Sequence, residues 1–83
     1  MINNKFSTIL GERLLKISTV AQATGISRTT LTNLYYRRSF QISLDTLDKL
    51  CAFLDCSVGD IIEYRPDDKP VNYEVVYQEE NND

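Results

Sequence analysis

The sequence predicts a compact all-α domain of five short helices, followed by a short C-terminal β-strand or tail. Three observations predict it. Apolar residues over the first sixty or so positions recur at three- and four-residue steps, the period of a helix buried on one face. Ser18, Ser27, Ser43 and Ser57 each precede one of these stretches, where a hydroxyl can cap a helix start. After Pro66 and Pro70 the period changes to two. With 83 residues, the chain fits one domain with a modest core and no deep substrate cleft.

Each element has its own signal. Phe6, Ile9, Leu10 and Leu14 form the inward stripe of a first helix. Ser18 caps a second, Thr19 to Thr24, and Gly25 sits just past its end. Ser27 caps a third, from Arg28 to about Tyr36, with Leu31 and Leu34 inward. Ser43 caps a fourth, which carries Leu44, Leu47, Leu50, Cys51 and Leu54, with Asp45 suiting the positive end of the helix dipole. Ser57 caps a fifth with Val58, Ile61 and Ile62. Helices of roughly 6–12 residues with short links pack into a small all-α body.

The segment after Pro70 reads differently. In residues 71–77 the side chains of Val71, Tyr73, Val75 and Tyr77 alternate onto one face, as in a strand. A lone strand leaves its backbone groups unsatisfied, and the body offers no second strand to pair with it. Pairing with the same strand of a second copy is one solution, which makes these four residues dimerisation candidates. A disordered acidic tail is the other. Residues 79–83 read as a frayed polar end.

Charge follows the same division. Residues 1–65 hold eight Lys/Arg against six Asp/Glu, a net +2; residues 66–83 hold one against six, a net −5. The expected organisation is therefore a mildly basic body, 1–65, and an acidic extension, 66–83. The chain has no His, which excludes His-based acid–base chemistry and His-ligated zinc. Cys51 and Cys56 match neither a zinc spacing nor a CxxC redox motif and read as small apolar residues in a reducing compartment. Asp45, Asp48, Asp55 and Asp60 fall at helix ends and surfaces with no catalytic partner. No enzyme, cofactor or metal is expected. No apolar run approaches the roughly 18 residues of a membrane span, and the start of the chain lacks a signal-peptide pattern. A soluble, cytoplasmic protein with no membrane association is expected.

The informative stretch is Ile17 to Arg38. Ala21 is small enough to let a second helix cross close by. Gly25 stands where a positive φ is needed, and Ile26 can plug the corner. Leu31 and Leu34 follow at five and eight positions after Ile26. This is helix-turn-helix spacing. The stretch Val20 to Tyr35 resembles the phage Cro/CI repressor-type (Xre-like) helix-turn-helix regulators. So do the downstream block Leu44 to Cys51, Leu54, and Val58 to Tyr64. The resemblance covers about residues 5–65 and implies the five-helix form of that family. It also implies that the N-terminal half of the third helix enters the major groove of DNA. Two departures stand out: Thr24 occupies a position that is usually apolar, and Tyr36-Arg37-Arg38 replaces a common Asn-Gly-Lys.

The residues themselves point to the same site. With Leu31 and Leu34 inward, the opposite face carries Arg28, Thr29, Thr32 and Asn33, none of them acidic. Arg can bond bidentately to guanine and Asn to adenine, and a Thr methyl suits thymine. These four are the base-contacting candidates, and the resemblance implies that Arg28 and Thr29 lead, with Thr32 and Asn33 behind. Ser27 places a hydroxyl and a helix N-terminus where an anion would sit. Tyr36, Arg37 and Arg38 interleave an aromatic with two cations beside the groove. With Ser18 and Thr19, these are the phosphate-contacting candidates. The expected function is a sequence-specific DNA-binding transcriptional regulator, in the repressing sense, binding double-stranded DNA. It would bind as a homodimer on an inverted repeat with half-sites about 34 Å apart. A phage or mobile-element context follows by family analogy. The alternative is an antitoxin-like or other interaction module whose acidic tail binds a partner protein.

Overall fold

The computed structural model describes residues 1–39 and 41–66. Its elements, in chain order, are β1 (Ile2–Asn4), α1 (Phe6–Glu12), α2 (Ile17–Thr24), α3 (Arg28–Tyr35), α4 (Leu44–Leu54), α5 (Val58–Ile61) and β2 (Ile62–Tyr64). The expected strand 71–77, with its dimerisation candidates Val71, Tyr73, Val75 and Tyr77, lies outside the described residues.

Five helices close around one apolar core. α1 contributes Phe6, Ile9 and Leu10; α2 contributes Val20; Ile26 fills the corner after it. Leu31 and Leu34 come from α3, Leu47, Leu50 and Leu54 from α4, and Ile61 from α5. Each fully buried side chain of this size adds about 1.5–3 kcal/mol. No polar or charged side chain is buried among the described residues, so apolar burial governs how the helices meet.

The helix starts follow the serines in part. Ser27 and Ser43 have extended backbones and accept the N–H of Thr30 (3.1 Å) and Thr46 (3.0 Å). At Ser57 the bonds run from the cap to Asp60: the Asp60 carboxylate accepts the Ser57 N–H at 3.0 Å and its hydroxyl at 3.1 Å. Those bonds hold the Asp60 carboxyl below the usual aspartate range. Ser18 does not cap α2. The helix begins two residues earlier, after Lys16, whose carbonyl accepts from Thr19 and Val20. Ser18 therefore lies inside the first turn, where its own backbone is already helical.

Helix ends explain the other departures. α1 stops at Glu12, and the Leu14 and Leu15 N–H groups donate back to Gly11 and Leu10. This is a Schellman stop, which requires a left-handed residue, here Leu14 at φ +54°. The helical stripe therefore breaks before Leu14, which is 90% exposed, and Leu15 packs on the core instead. Leu44 is likewise 82% exposed and Val58 half exposed, because each opens its helix where one side faces solvent. α5 has four residues, shorter than expected, because Ile62 turns to extended backbone and starts β2.

The body does contain a pair of strands, contrary to expectation. β1 and β2 pair antiparallel, Ile2 with Tyr64, Asn3 with Glu63 and Asn4 with Ile62. The ladder continues on both sides, through Lys5 N–H to Ile61 O (2.7 Å) and Arg65 N–H to Met1 O (2.8 Å). The Asn3 amide donates to Glu63 at 3.0 Å, Arg65 does so at 2.8 Å, and Lys5 pairs with Glu63 at 3.4 Å. The Asn3 bond, then Arg65, holds the Glu63 carboxyl below the ordinary glutamate range.

Candidate nucleic-acid interface

The corner between α2 and α3 is built from consecutive residues. Gly25 ends α2 at φ +77° and donates its N–H to Ala21 O at 2.9 Å. Only glycine adopts that backbone freely. Thr24 does more than tolerate its place: its hydroxyl donates to Val20 O at 2.7 Å and accepts the Ile26 N–H at 3.2 Å. A polar residue thus bridges the turn. Ser27 then caps α3 and also donates its hydroxyl to Thr30 at 2.7 Å.

With Leu31 and Leu34 anchored in the core, the rest of α3 turns outward. Arg28, Thr29 and Thr30 are exposed, and Thr32 and Asn33 are half-buried. Two shallow clefts flank the helix. One is lined by Leu15, Lys16, Ile17, Ser18, Arg28, Tyr35 and Tyr36. It brings Arg28 together with Ser18 and Tyr36 beside the start of α2. The other lies toward α4, among Thr30, Asn33, Ser39, Gln41, Ser43 and Thr46, and takes Asn33 away from Arg28. No carboxylate lines either cleft. An anion placed there meets hydroxyls, amides and cations with no like charge opposing it.

The far end of α3 is built by different means. The Arg37 and Arg38 N–H groups donate to Leu34 O (3.2 Å) and Asn33 O (2.8 Å), a second Schellman stop. Arg37 takes the left-handed position at φ +58°, so the turn keeps its shape although the family's glycine is absent. The two arginines then part. Arg37 Nε donates to the Asn4 main-chain carbonyl at 3.2 Å. Arg38 lies over the Tyr36 ring, 5.1 Å from its centre, a cation–π arrangement that presents the guanidinium at the surface. Tyr35 is half-buried with its ring edge-on to Phe6 at 6.4 Å, so it is part of the core rim. Thr19 is exposed in the first turn of α2.

Three residues around this surface escaped the sequence reading. Lys16 stands two positions before the expected cap and is legible only as a cation preceding a helix. Thr30 follows Ser27 at the spacing of a cap and its partner. Asn4, which reaches α3 from the first strand, had no sequence signal.

The chain matches the Cro/C1-type HTH DNA-binding domain over residues 5–67. It is 33% identical over 60 residues to YozG, an uncharacterised HTH-type transcriptional regulator of Bacillus subtilis (strain 168), covering 72% of this chain and 71% of that one. It also superposes, with a TM-score of 0.67 and 27% identity, on the crystal structure of a candidate DNA-binding protein from Bacteroides fragilis, covering 76% of this chain and 100% of that one. The helix pair α2–α3, the capped corner between them and the three other described helices, α1, α4 and α5, lie within the matched stretch, and the chain belongs to the Cro/C1-type helix-turn-helix DNA-binding family.

Proposed function

We propose that the protein is a sequence-specific DNA-binding transcriptional regulator whose α3 enters the major groove. One observation carries this: the outward side of α3 is free of carboxylates, exposed at Arg28, Thr29 and Thr30, and continuous with a cleft that adds Lys16, Ser18 and Tyr36 to Arg28. Arg28 and Thr29, at the start of the helix, lead the base contacts, with Thr32 and Asn33 behind. Ser18, Thr19 and Ser27 present hydroxyls near two helix starts, and Tyr36 and Arg38 flank the other end, where phosphates run. Arg37 contributes charge to that end while its Nε holds Asn4. Occupancy by a small body blocks other proteins from the same DNA, so the proposed sense is repression.

The proposed body is residues 1–65, and the acidic extension, 66–83, supplies dimerisation through residues 71–77. Two bodies would then read an inverted repeat with half-sites about 34 Å apart. Selection from a random duplex library tests both parts. Full-length protein should enrich an inverted repeat, and protein lacking residues 66–83 should enrich a single half-site or nothing. Failure of the full-length protein to enrich any sequence, at low or physiological salt, contradicts the regulator reading. An unchanged repeat after truncation contradicts the dimerisation role.

A further inference from the structure

We infer that Asn4 is a positioning residue for the phosphate-facing end of α3. The inference rests on the DNA-binding reading above. Asn4 is placed at the end of β1 and uses three polar groups at once. Its side-chain oxygen accepts the Phe6 N–H at 2.9 Å, which starts α1. Its amide donates to Leu34 O at 2.7 Å, in the last turn of α3. Its main-chain carbonyl accepts from Arg37 Nε at 3.2 Å. The last two bonds grip α3 from a segment 30 and 33 positions away in sequence.

The grip falls on the turn from which Arg38 projects. Leu34 O is also the acceptor for the Arg37 N–H, so the Asn4 amide and the Schellman stop share one carbonyl. The same Asn4 holds the Arg37 side chain, fixing a left-handed residue that lacks the freedom of glycine. Arg38 follows directly and is stacked on Tyr36. In this role Asn4 acts through its bonds to α3 and not as a DNA ligand. It sets where Arg38 and Tyr36 stand, and through the Ile2–Asn4 strand it ties that position to the β1–β2 ribbon.

The test is to separate helix capping from positioning. Asn4→Ser keeps a short side-chain oxygen near the Phe6 N–H but is too short to reach Leu34 O. Asn4→Asp keeps the acceptor and replaces the donor with a charged oxygen facing a carbonyl. Both variants, Arg38→Ala and wild type are titrated against the selected duplex and its single-base variants, across salt. Loss of one phosphate contact lowers the salt slope by about 0.9, which is about fivefold in affinity near 0.15 M salt. Both Asn4 variants should show that shallower slope with base preference unchanged, and the Arg38 N–H should exchange faster with solvent in each. Adding Arg38→Ala to Asn4→Ser should weaken binding little further. Wild-type slope and affinity in both variants, or a full additional loss from Arg38→Ala, overturns the inference while leaving DNA binding intact. Absence of duplex binding by the wild type itself removes the regulator reading and this role together.

Discussion

The two ends of α3 are made by opposite strategies. The N-terminal end is local: Thr24, Gly25, Ser27 and Thr30 bond with one another or with their immediate neighbours. The C-terminal end is remote: it is held by Asn4 and, through the ribbon, by residues near the end of the body. The leading proposed base contacts, Arg28 and Thr29, sit at the local end beside the Ser18, Thr19 and Ser27 hydroxyls; the proposed phosphate contacts of Tyr36, Arg37 and Arg38 sit at the remote one. A corner built from consecutive residues reproduces one geometry whenever α2 and α3 form. A grip from β1 depends on the whole body being closed. The reading end is therefore the more robust of the two, and the clamping end is the one that distant changes reach.

The largest expected effect removes the anchor common to both ends. Leu31→Ala leaves a cavity beneath α3 and should cost about 2–5 kcal/mol in urea unfolding. In a body this small that is a large share of the total, so duplex binding should fall with the fold. Gly25→Ala strikes the local end alone. A Cβ there meets no atom within 4 Å, so the cost is torsional, about 1–2 kcal/mol for the left-handed backbone. A loss well beyond that would mean the corner bears on more than α2 and α3.

Arg37→Gly probes the remote end and should have a smaller net effect. Relief of a left-handed arginine gains about 1 kcal/mol, and loss of the bond to Asn4 O removes about as much. Thermal stability should stay near wild type, while the salt slope of duplex binding becomes shallower.

The smallest effect distinguishes the ends by pH. Glu63 is held below its ordinary range by Asn3 and then by Arg65. A depressed carboxyl stabilises the fold above its unfolded pKa, and that contribution fades as pH falls through the lower folded value. The ribbon, and with it the Asn4 grip, should loosen in acid, below the ordinary glutamate range. The corner at Gly25 and Ser27 uses hydroxyls and backbone, and should not. Amide exchange of Arg38 against Thr30, followed down in pH, should show the first rising earlier.

The same contrast governs what the sequence could reveal. Gly25, Ile26, Ser27, Leu31 and Leu34 were legible because each acts over a few positions. The exposed faces of Arg28 and Thr29 followed from them. Leu14 was misread because the apolar period continues past the residue where the backbone turns left-handed. Ser18 misleads because α2 starts two residues earlier than a cap at Ser18 implies, at Ile17 with Lys16 as its cap. The ribbon was illegible: strands of three residues carry too little alternation to register, and Asn3 and Glu63 meet across 60 positions. Asn4 is silent for the same reason, since nothing local says that its amide will find Leu34.

The most direct measurement compares Arg28→Ala with Arg38→Ala on one selected duplex and its single-base variants, from low to physiological salt. A base-reading Arg28 and a phosphate-holding Arg38 predict two different losses. Arg28→Ala should cost about 1–3 kcal/mol and relax preference at one base position. Arg38→Ala should weaken every sequence alike and reduce the salt slope by about one unit. Equal losses on all sequences from both variants, with preference intact, would contradict the assignment of base reading to the start of α3.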